Sequence, residues 1–296
     1  MALQSYKSYL SLEKNYSRHT VNAYTKDIEA FTLFCADEYE LATIDEVDYS
    51  LIRSWVVRLV DSDVSNRTIN RKVASLKSYY KFLQGIGSIK VNPLAKHRAL
   101  KTAKKIEVPF SEEEMQKVLL EMRFTDDFEG VRDKLIVELL YATGIRRAEL
   151  INLKTVDVDL SSKLLKVLGK RNKERIVPLL PTTRDLFSTY FGYRNTLETI
   201  TDEAHVFLLK SGHKLYETLV YRVINKYFSE VSTKVKKSPH ILRHTFATHL
   251  LNKGADLNSV KELLGHSSLA STQVYTHNSI TELKKVHAKS HPRGEE

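Results

Sequence analysis

The stretch SPHILRHTFATHLL, residues 238–251, combines a strong helix start with a cluster of basic and titratable side chains. Ser238 is a favoured N-cap residue and Pro239 suits the first helical turn, so a helix is predicted to begin here. His240 and Arg243 are three residues apart on one face of its first turns, at a helix end that attracts anions. This pattern favours a phosphate-binding site at the start of the helix.

The same helix raises a second hypothesis, a zinc site. His240 and His244 are four residues apart and His249 follows, and imidazoles are common zinc ligands. The stretch has no HExxH glutamate and no neighbouring cysteine or carboxylate to complete such a site. We therefore expect no metal ion and no other cofactor.

The stretch ATGIRRAEL, residues 142–150, places another arginine beside a glutamate. Gly144 can end one helix, so that Arg146 begins the next helix with Glu149 within reach, three residues on. The pair has two interpretations: an ordinary surface ion pair, or a guanidinium that a carboxylate holds so that its fork can bind phosphate oxygens. Nothing local favours one over the other.

Tyr275 has unusual surroundings for a tyrosine. It follows His266 by nine residues in LLGHSSLASTQVYTH, residues 263–277, where the neighbours are small and polar and little apolar material can bury it. Burial in an apolar core therefore does not explain this tyrosine. A short turn between two helices can bring His266 and Tyr275 to one pocket.

Length and composition limit the class of protein. The chain has 296 residues, of which 42% are hydrophobic, enough for two domains with real cores. No apolar run approaches the roughly 18 residues that span a bilayer, and the N-terminal stretch MALQSYKSYLSLEKN lacks the apolar core of a signal peptide. We expect a globular cytoplasmic protein. Its single cysteine, Cys35, falls on the apolar side of a helical pattern and is expected to be buried. Because there is only one cysteine in the sequence, disulfides within the chain and cysteine zinc sites are excluded.

The net charge of +10 is concentrated in one part of the chain. Residues 64–106 contain eleven Lys and Arg and no Asp or Glu. Charge of one sign over such a length repels itself unless a polyanion neutralises it, so nucleic acid is the favoured partner. An acidic membrane surface is less favoured, because no strongly amphipathic basic helix is evident.

The first part of the chain predicts a four-helix domain, residues 1–90. Apolar residues recur three and four apart in 3–12, 21–35, 51–60 and 69–83. The fourth segment turns its apolar residues inward and its basic residues elsewhere, which suits a helix that lies along DNA. The predicted DNA contacts are basic side chains of this helix and of the stretch that follows it: Arg67, Arg71, Lys72, Lys77, Lys81, Lys101, Lys104 and Lys105.

A basic interdomain linker bracketed by prolines is predicted at 91–109, and a second domain over 110–296. Ser111 and Glu114 form a capping-box pattern at its first helix. Helical patterns dominate, but VDVDL, KLLKVLG and ERIVPL indicate short strands, the last two joined by a hairpin turn, and HVFLL is a possible further strand. The predicted fold class is mainly α, with a small antiparallel β-sheet in the second domain.

Four stretches, in this order, resemble the motifs of the tyrosine recombinase (phage integrase) family. ATGIRRAEL resembles the box around its first active-site arginine, LGKRNKERIVPL its hairpin lysine, HILRHTFATHLL its His-x-x-Arg box, and LLGHSSLASTQVYTH the box with its second histidine and its nucleophile. The resemblance is strongest to the bacterial Xer recombinases of the XerC and XerD type and covers nearly the whole chain, from SRHTVNAYTKDIEAF to HAKSHPRG. It implies an N-terminal SAM-like core-binding bundle and a C-terminal catalytic domain, which together clamp duplex DNA.

The reaction implied by the resemblance is phosphoryl transfer without hydrolysis. Tyr275 would attack the scissile phosphate to give a 3′-phosphotyrosyl enzyme and a 5′-hydroxyl, and the 5′-hydroxyl of the partner strand would reverse the step. Because the bond energy is kept, no ATP is needed. Glu149 would orient Arg146.

The remaining motif residues are expected to neutralise charge and transfer protons. Arg146 and Arg243 would clamp the phosphate, and His266 would donate to it. Lys170 would protonate the leaving 5′-oxygen, although a lysine in a hairpin turn, taken alone, is usually just solvated. His240 would act either as a base for the tyrosine or as a hydrogen-bond scaffold.

The C-terminal tail, residues 279–296, has two interpretations. Ile280, Leu283 and Val286 form an apolar stripe at helical spacing. The stripe could pack on its own domain. In the family that the chain resembles, this segment docks into a neighbouring protomer.

The resemblance also implies partners and a process. The partners would be double-stranded DNA with inverted-repeat half-sites, a second copy or a paralogous recombinase in a tetrameric synapse, and a septal DNA translocase. The process would be resolution of chromosome dimers at cell division by a nucleoid-associated protein of the cytoplasm, without membrane contact. The alternatives are the integrase or excisionase of a mobile element, a type IB topoisomerase, and a DNA-binding protein without catalysis.

Overall fold

The computed structural model describes residues 2–103, 107–169, 173–234, 236–265 and 277–294, with only the backbone described for 277–279. The chain forms two compact units, Met1–Lys105 and Ile106–Glu296. Both are mainly helical, and the second contains a small antiparallel sheet, which confirms the predicted fold class. Within the described ranges, no helix is long and apolar enough to cross a membrane.

Helices form the first unit, close to their predicted positions. They are α1 (Ala2–Ser8, prolonged by a π-helical turn at Tyr9–Glu13), α2 (Arg18–Tyr39), α3 (Tyr49–Asp61) and α4 (Asn66–Gly85). The side chains of Ser17, Asp48 and Ser65 cap the last three helices by accepting a backbone N–H of the first turn. Cys35 is fully buried in the core that these helices share, as predicted, and burial raises the pKa of its thiol to about 11.

The beginning of the predicted linker packs against the first unit. Leu94 is fully buried in its core. The side-chain amide of Asn70, on α4, bonds both to the backbone N–H and to the carbonyl of Leu100, each at 2.8 Å. Asn66 donates to the carbonyl of Lys101 at 2.8 Å. Residues up to 101 are therefore held along α4.

The second unit is built from the elements that follow. They are α5 (Glu112–Gln116, prolonged by a π-helical turn at Lys117–Glu121), α6 (Phe128–Thr143), α7 (Arg147–Ile151), β1 (Val158–Asp159), β2 (Leu164–Leu168), β3 (Glu174–Pro178), α8 (Pro181–Asn195), α9 (Glu217–Val231), α10 (Pro239–Asn252), α11 (Leu257–Leu264) and α12 (His277–Ser290). The predicted capping box at Ser111 and Glu114 is present. Helix α6 is buried along almost its whole length, and α8, α9 and α10 pack around it, so it forms the centre of the core.

The sheet has the order β1-β2-β3, and both pairs of neighbours are antiparallel. In the ladder between β2 and β3, Leu168 pairs with Glu174, and beyond it the N–H of Gly169 donates to the carbonyl of Lys173 at 2.8 Å. The buried positions of β3 include Arg175 and Val177, which are two residues apart and so share one face. An arginine thus occupies an inward position of the hairpin.

The predicted strand at HVFLL, residues 205–209, is wrong. His205 and Leu208 form only isolated bridges. The hydroxyl of Tyr190 donates to the carbonyl of Val206 at 2.9 Å and accepts the N–H of Leu208 at 3.2 Å. Backbone groups of Leu153 and Leu215 bond to Val206 and Phe207. The hydrogen bonds of the segment are thus divided between a tyrosine side chain and scattered backbone groups, and no continuous ladder forms.

The C-terminal helix α12 packs on the second unit. Leu283 lies in the core of that unit, and Val286 packs against it. Nε2 of the buried His287 donates to the carbonyl of Ala142, near the end of α6, at 2.7 Å. The apolar stripe is thus seated on its own unit, and docking of the tail into a neighbouring protomer stays a prediction.

Candidate active site

Helix α10 begins as predicted, and its start fixes one arginine of the site. Ser238 is the N-cap and accepts the backbone N–H of Ile241 at 3.4 Å, with Pro239 as the first helical residue. Four residues on from Pro239, Arg243 is buried. Its side chain therefore points into the unit and not to the helix surface.

Backbone carbonyls at two helix ends hold the guanidinium of Arg243. Nη1 donates to the carbonyl of Gly144, the C-cap of α6, at 2.5 Å, and Nη2 donates to the carbonyl of Leu264, the last residue of α11, at 2.7 Å. C-terminal helix ends carry partial negative charge, which stabilises a cation there. Burial, and then the neighbouring Arg146, lower the pKa of Arg243 to about 10, so it keeps its charge at pH 7.

The turn between α6 and α7 requires the glycine that the sequence places there. Gly144 has a φ of +59°, in the left-handed region. A Cβ at this position would lie 2.4 Å from Cδ1 of Phe246 and 2.9 Å from Cδ2 of Leu264. The glycine lets α6 end against α10 and α11, with its carbonyl toward Arg243, and Arg146 follows two residues later.

Arg146 and Glu149 form the predicted pair. Arg146 is the N-cap of α7, its backbone N–H donates to Oε2 of Glu149 at 2.8 Å, and its Nη1 donates to Oε1 at 2.8 Å. The Glu149 carboxylate is buried, whereas the Arg146 side chain is one-third exposed. This geometry fits the second interpretation of the pair, a guanidinium that a buried carboxylate orients, and not an ordinary surface ion pair.

A third arginine, Arg175, completes this cluster. From β3 it donates through Nη1 to Oε1 of Glu149 at 3.0 Å and through Nη2 to Oε2 at 2.8 Å. Its Nε donates to the carbonyl of Leu263, on α11, at 3.0 Å. Burial favours protonation of Glu149, but the hydrogen bonds and charge of Arg175, and then of Arg146, outweigh it and lower the pKa of this carboxyl below its ordinary value.

Arg175 was not among the site residues predicted from the sequence. One signal could have found it: in ERIVP, strand alternation puts Arg175 on the same face as the apolar Val177. A cation on an apolar face needs a buried partner. The partner itself, Glu149, lies 26 residues away in the sequence.

His240 and Arg243, predicted to share one face, differ in burial. The His240 side chain is 72% exposed, and its Nε2 lies 3.3 Å from Oε2 of Glu107. Glu107 also binds Lys236, whose hydrogen bond is the largest cause of a lowered pKa at that carboxyl. His240 is therefore accessible and faces a carboxylate at the start of the second unit.

The third histidine of α10 has a structural role. The Tyr141 hydroxyl lies 2.9 Å from Nδ1 of the buried His249, and Nε2 lies 2.9 Å from the carbonyl of Phe110, to which it donates. Both ring nitrogens thus have protein partners, and burial lowers the pKa of this imidazole. His249 is not available as a metal ligand in this arrangement.

Three predicted catalytic residues, Lys170, His266 and Tyr275, lie outside the described residues. The residues directly before two of them are described. A Cβ at Gly169 would lie 3.6 Å from Oε1 of Glu149, and one at Gly265 would lie 2.9 Å from Cδ of Arg175. The chain positions that precede Lys170 and His266 therefore lie beside the arginine–glutamate cluster.

The predicted DNA-binding side chains of α4 fall into two groups. Arg67, Lys77 and Lys81 are exposed. Arg71 donates through both Nη atoms to the buried Asp27 of α2, and Lys72 lies 3.4 Å from the same carboxylate. Only the first group is presented to solvent without a described internal ion pair.

Lys72 is turned away from the exposed face, whereas the Arg71 side chain is 48% exposed. Its side chain is 19% exposed, and its Nζ lies 5.7 Å from the centre of the Trp55 ring. Of the predicted basic residues beyond α4, Lys101 is exposed, and Lys104 and Lys105 lie outside the described residues. Arg147, next to Arg146, binds Glu217 of α9.

Comparison with known proteins places this site in a family. Residues 110–282 match the model of the phage integrase family, and residues 3–85 match the N-terminal SAM-like domain of phage integrases. The tyrosine recombinase XerC of Chlorobaculum tepidum is 38% identical over 310 residues, covering 96% of this chain and 92% of the relative. The tyrosine recombinase XerC of Bacillus pumilus is 40% identical over 289 residues, covering 96% and 94%.

Solved structures share the fold. The XerH site-specific recombinase bound to a palindromic difH substrate has a TM-score of 0.72 at 20% identity, over 97% of this chain and 83% of that one. The Tn1549 transposon integrase in complex with transposon right end DNA has a TM-score of 0.71 at 20% identity, over 96% and 98%. The chain belongs to the phage integrase family of tyrosine recombinases. Its activity is that family's site-specific cleavage and rejoining of DNA.

Proposed function

We propose that this recombinase exchanges DNA strands through a 3′-phosphotyrosyl intermediate on Tyr275 and that its task is the resolution of chromosome dimers. The observation that carries the chemistry is the meeting of four stretches far apart in the sequence. Arg146 with Glu149, the hairpin residues Gly169 and Arg175, Arg243, and the end of α11 at Gly265 lie together. Such a convergence supports a single reaction centre.

The two arginines supply the electrostatic part of the proposed mechanism. Arg146 is oriented by Glu149, and Arg243 is held by the carbonyls of Gly144 and Leu264. Guanidiniums fixed in this way need little reorganisation when charge gathers on the non-bridging oxygens of the phosphate. Removing one preorganised donor of this kind typically lowers the rate by about 10²- to 10³-fold.

The remaining residues handle the protons and the covalent bond. The hydroxyl oxygen of Tyr275 attacks phosphorus, the bond from phosphorus to the 5′-oxygen breaks, and Lys170 gives the leaving oxygen its proton. His240 accepts the tyrosine proton or a hydrogen bond from it. His266 donates to a non-bridging oxygen. The phosphate bond is exchanged and not hydrolysed, so the partner strand's 5′-hydroxyl can reverse the step.

The proposed partners follow from the same assignment. Each protomer binds one half-site of an inverted repeat on duplex DNA, and four protomers, of this chain alone or with a paralogous recombinase, form the synapse. The similarity to tyrosine recombinases named XerC over nearly the whole chain supports site-specific recombination. Chromosome dimer resolution, with a septal DNA translocase as activator, is the process that we propose for it. The corresponding location is the nucleoid, in the cytoplasm.

Covalent trapping tests the chemistry. The protein, a Tyr275→Phe variant and a matched Tyr221→Phe variant are incubated with nicked fragments of the host genome, and the DNA that stays attached in SDS is sequenced. Tyr221 is an exposed tyrosine of α9 and serves as the control. We expect adducts with the unaltered protein and with Tyr221→Phe, and none with Tyr275→Phe.

The position of the trapped DNA tests the process. Adducts on one inverted-repeat locus near the replication terminus would support dimer resolution, whereas a locus at the boundary of a mobile element would make the protein an integrase. Adducts that persist with Tyr275→Phe would refute the assigned nucleophile. Tight duplex binding without any adduct, even when a second recombinase from the same host is added, would refute the proposed chemistry.

A further inference from the structure

We propose that Arg175 is a positioning residue of the recombination reaction, which holds the Arg146–Glu149 pair and the end of α11 in one fixed arrangement. The inference rests on the proposed function, because it concerns the same reaction centre. Arg175 itself is 5% exposed and points into the unit from β3. It therefore acts through its neighbours and not on a substrate.

The donors of Arg175 are divided between two elements. Two nitrogens bind the two oxygens of Glu149, on α7, and the third binds the carbonyl of Leu263, on α11. A guanidinium is planar and rigid, so these three bonds fix the distance and angle between α7 and α11. A single side chain thereby sets the relative position of two elements that are more than a hundred residues apart in the sequence.

Glu149 connects Arg175 to Arg146, one of the two arginines that are proposed to bind the phosphate. Its carboxylate accepts two hydrogen bonds from Arg175 and two from Arg146, one of these from the backbone and one from the side chain. A carboxylate held from both sides cannot turn without breaking bonds to both arginines. The orientation of the Arg146 guanidinium therefore depends on Arg175.

The end of α11 connects Arg175 to Arg243, the second arginine that is proposed to bind the phosphate. Leu263 and Leu264 are consecutive, and their carbonyls bind Arg175 and Arg243 respectively. Gly265, which follows, has a φ of +64°, and a Cβ there would lie within 2.9 Å of Cδ of Arg175. Arg175 thus packs against the last described residue before His266 and shares its helix end with Arg243.

The burial of this ion pair supports a role beyond stability. Buried charge pairs often contribute little net stability relative to apolar residues of similar size, and some are retained because they specify one arrangement. The alternating face of β3 that carries Val177 could take an apolar side chain at position 175. An arginine there is explained by the arrangement that its donors impose.

The test compares Arg175→Lys with Arg132→Lys in the full-length protein. Lysine keeps the charge but has one nitrogen, which cannot reach Glu149 and the carbonyl of Leu263 in the geometry of the fork. Arg132 is the matched control, since it is equally buried, binds the carboxylate of Asp133 at 2.8 Å and bonds to the carbonyl of Leu208. It lies outside the cluster, so the control reports the structural cost of the same substitution.

Two readouts are taken. The first is single-turnover cleavage of a nicked duplex that carries the sequence recovered by covalent trapping, measured over a range of enzyme concentrations. We expect Arg175→Lys to lower the cleavage rate constant about 10²-fold through misplacement of the clamp, with little change in the half-saturating concentration. Arg132→Lys should keep the rate constant of the unaltered protein at a temperature where both variants are folded.

The second readout is hydrogen exchange of the DNA-free protein over 146–151 and 257–265. We expect both segments to exchange faster in Arg175→Lys and neither in Arg132→Lys. Equal loss of rate in the two variants, or exchange that changes in only one of the two segments, would overturn the proposal. If the unaltered protein forms no adduct with any duplex, the proposed function fails, and the exchange of the two segments still decides whether Arg175 ties them together.

Discussion

Each unit of the molecule contains a buried carboxylate that binds an arginine through both of its oxygens, and the two pairs differ in where the arginine lies. In the first unit Asp27 binds Arg71, whose side chain is 48% exposed. In the second unit Glu149 binds Arg175, which is 5% exposed. The first arginine is therefore accessible to solvent, whereas the second lies in the protein interior.

Removing each carboxylate in turn should lower the free energy of unfolding by different amounts, and this difference is the largest effect expected. Glu149→Ala leaves a buried guanidinium without its carboxylate and should cost about 3–5 kcal/mol of unfolding free energy. Asp27→Ala should cost about 1–3 kcal/mol, because Arg71 can turn to water. Urea unfolding is followed by far-UV circular dichroism for the whole chain and by fluorescence of Trp55, the only tryptophan, for the first unit. Equal losses in the two variants would contradict the distinction.

Lowering the pH should destabilise the second unit more than the first. Burial lowers the pKa of His287 to about 4 and lowers that of His291 too, whereas an unfolded histidine titrates near about 6.5. Between these values the unfolded chain binds protons that the folded chain does not. The stability present above pH 6.5 should therefore be lost as the pH falls toward 4, by up to about 1.4 kcal/mol per pH unit for each such histidine.

The measurement is urea unfolding by circular dichroism at a series of pH values, with Trp55 fluorescence as the comparison. The first unit should depend less on pH, because its histidine with a lowered pKa, His97, is only partly buried. The variant His287→Gln, whose amide can still donate to the carbonyl of Ala142, should reduce the slope of the second unit. An unchanged slope in this variant would show that His287 is not the source.

The smallest effect concerns the exposed and internal cations of α4. Replacing Lys77 and Lys81 by Gln should lower the slope of log affinity against log salt concentration by about 0.9 for each DNA phosphate that is no longer neutralised. Lys72→Gln should leave the slope unchanged, because Lys72 faces Asp27 and Trp55. Fluorescence anisotropy with a random-sequence duplex measures both. A lower slope for Lys72→Gln would show that Lys72 does contact DNA, as the sequence predicted.

Local patterns predicted the parts of the site that are local. The helix starts at Ser111 and Ser238 depend on residues within one turn, and so does the pair of Arg146 with Glu149. All three are present in the structure, because a cap or a pair at i,i+3 needs no information from elsewhere in the chain.

The missed features depend on distant partners. The acceptors of Arg243 belong to α6 and α11, and no spacing within SPHILRHTFATHLL reports them. The predicted strand at 205–209 failed because its backbone bonds are divided between a tyrosine of α8 and isolated backbone groups elsewhere in the chain. Arg71 and Lys72 were predicted as one surface, yet adjacent residues on a helix point about 100° apart, and only a knowledge of α2 and α3 shows which one turns inward.

The pairing of β2 with β3 restricts how the length of this chain can change. The ladder runs from the pair of Leu168 with Glu174 to the pair of Leu164 with Pro178. Because side chains along a strand alternate between the two faces of the sheet, one inserted residue would move every side chain beyond it in that strand to the opposite face. An insertion between Glu174 and Arg175 would turn Arg175 outward, and Glu149 would lose its interior cation. The two strands therefore tolerate no change of length by a single residue if the side chains of their ladder are to keep their faces.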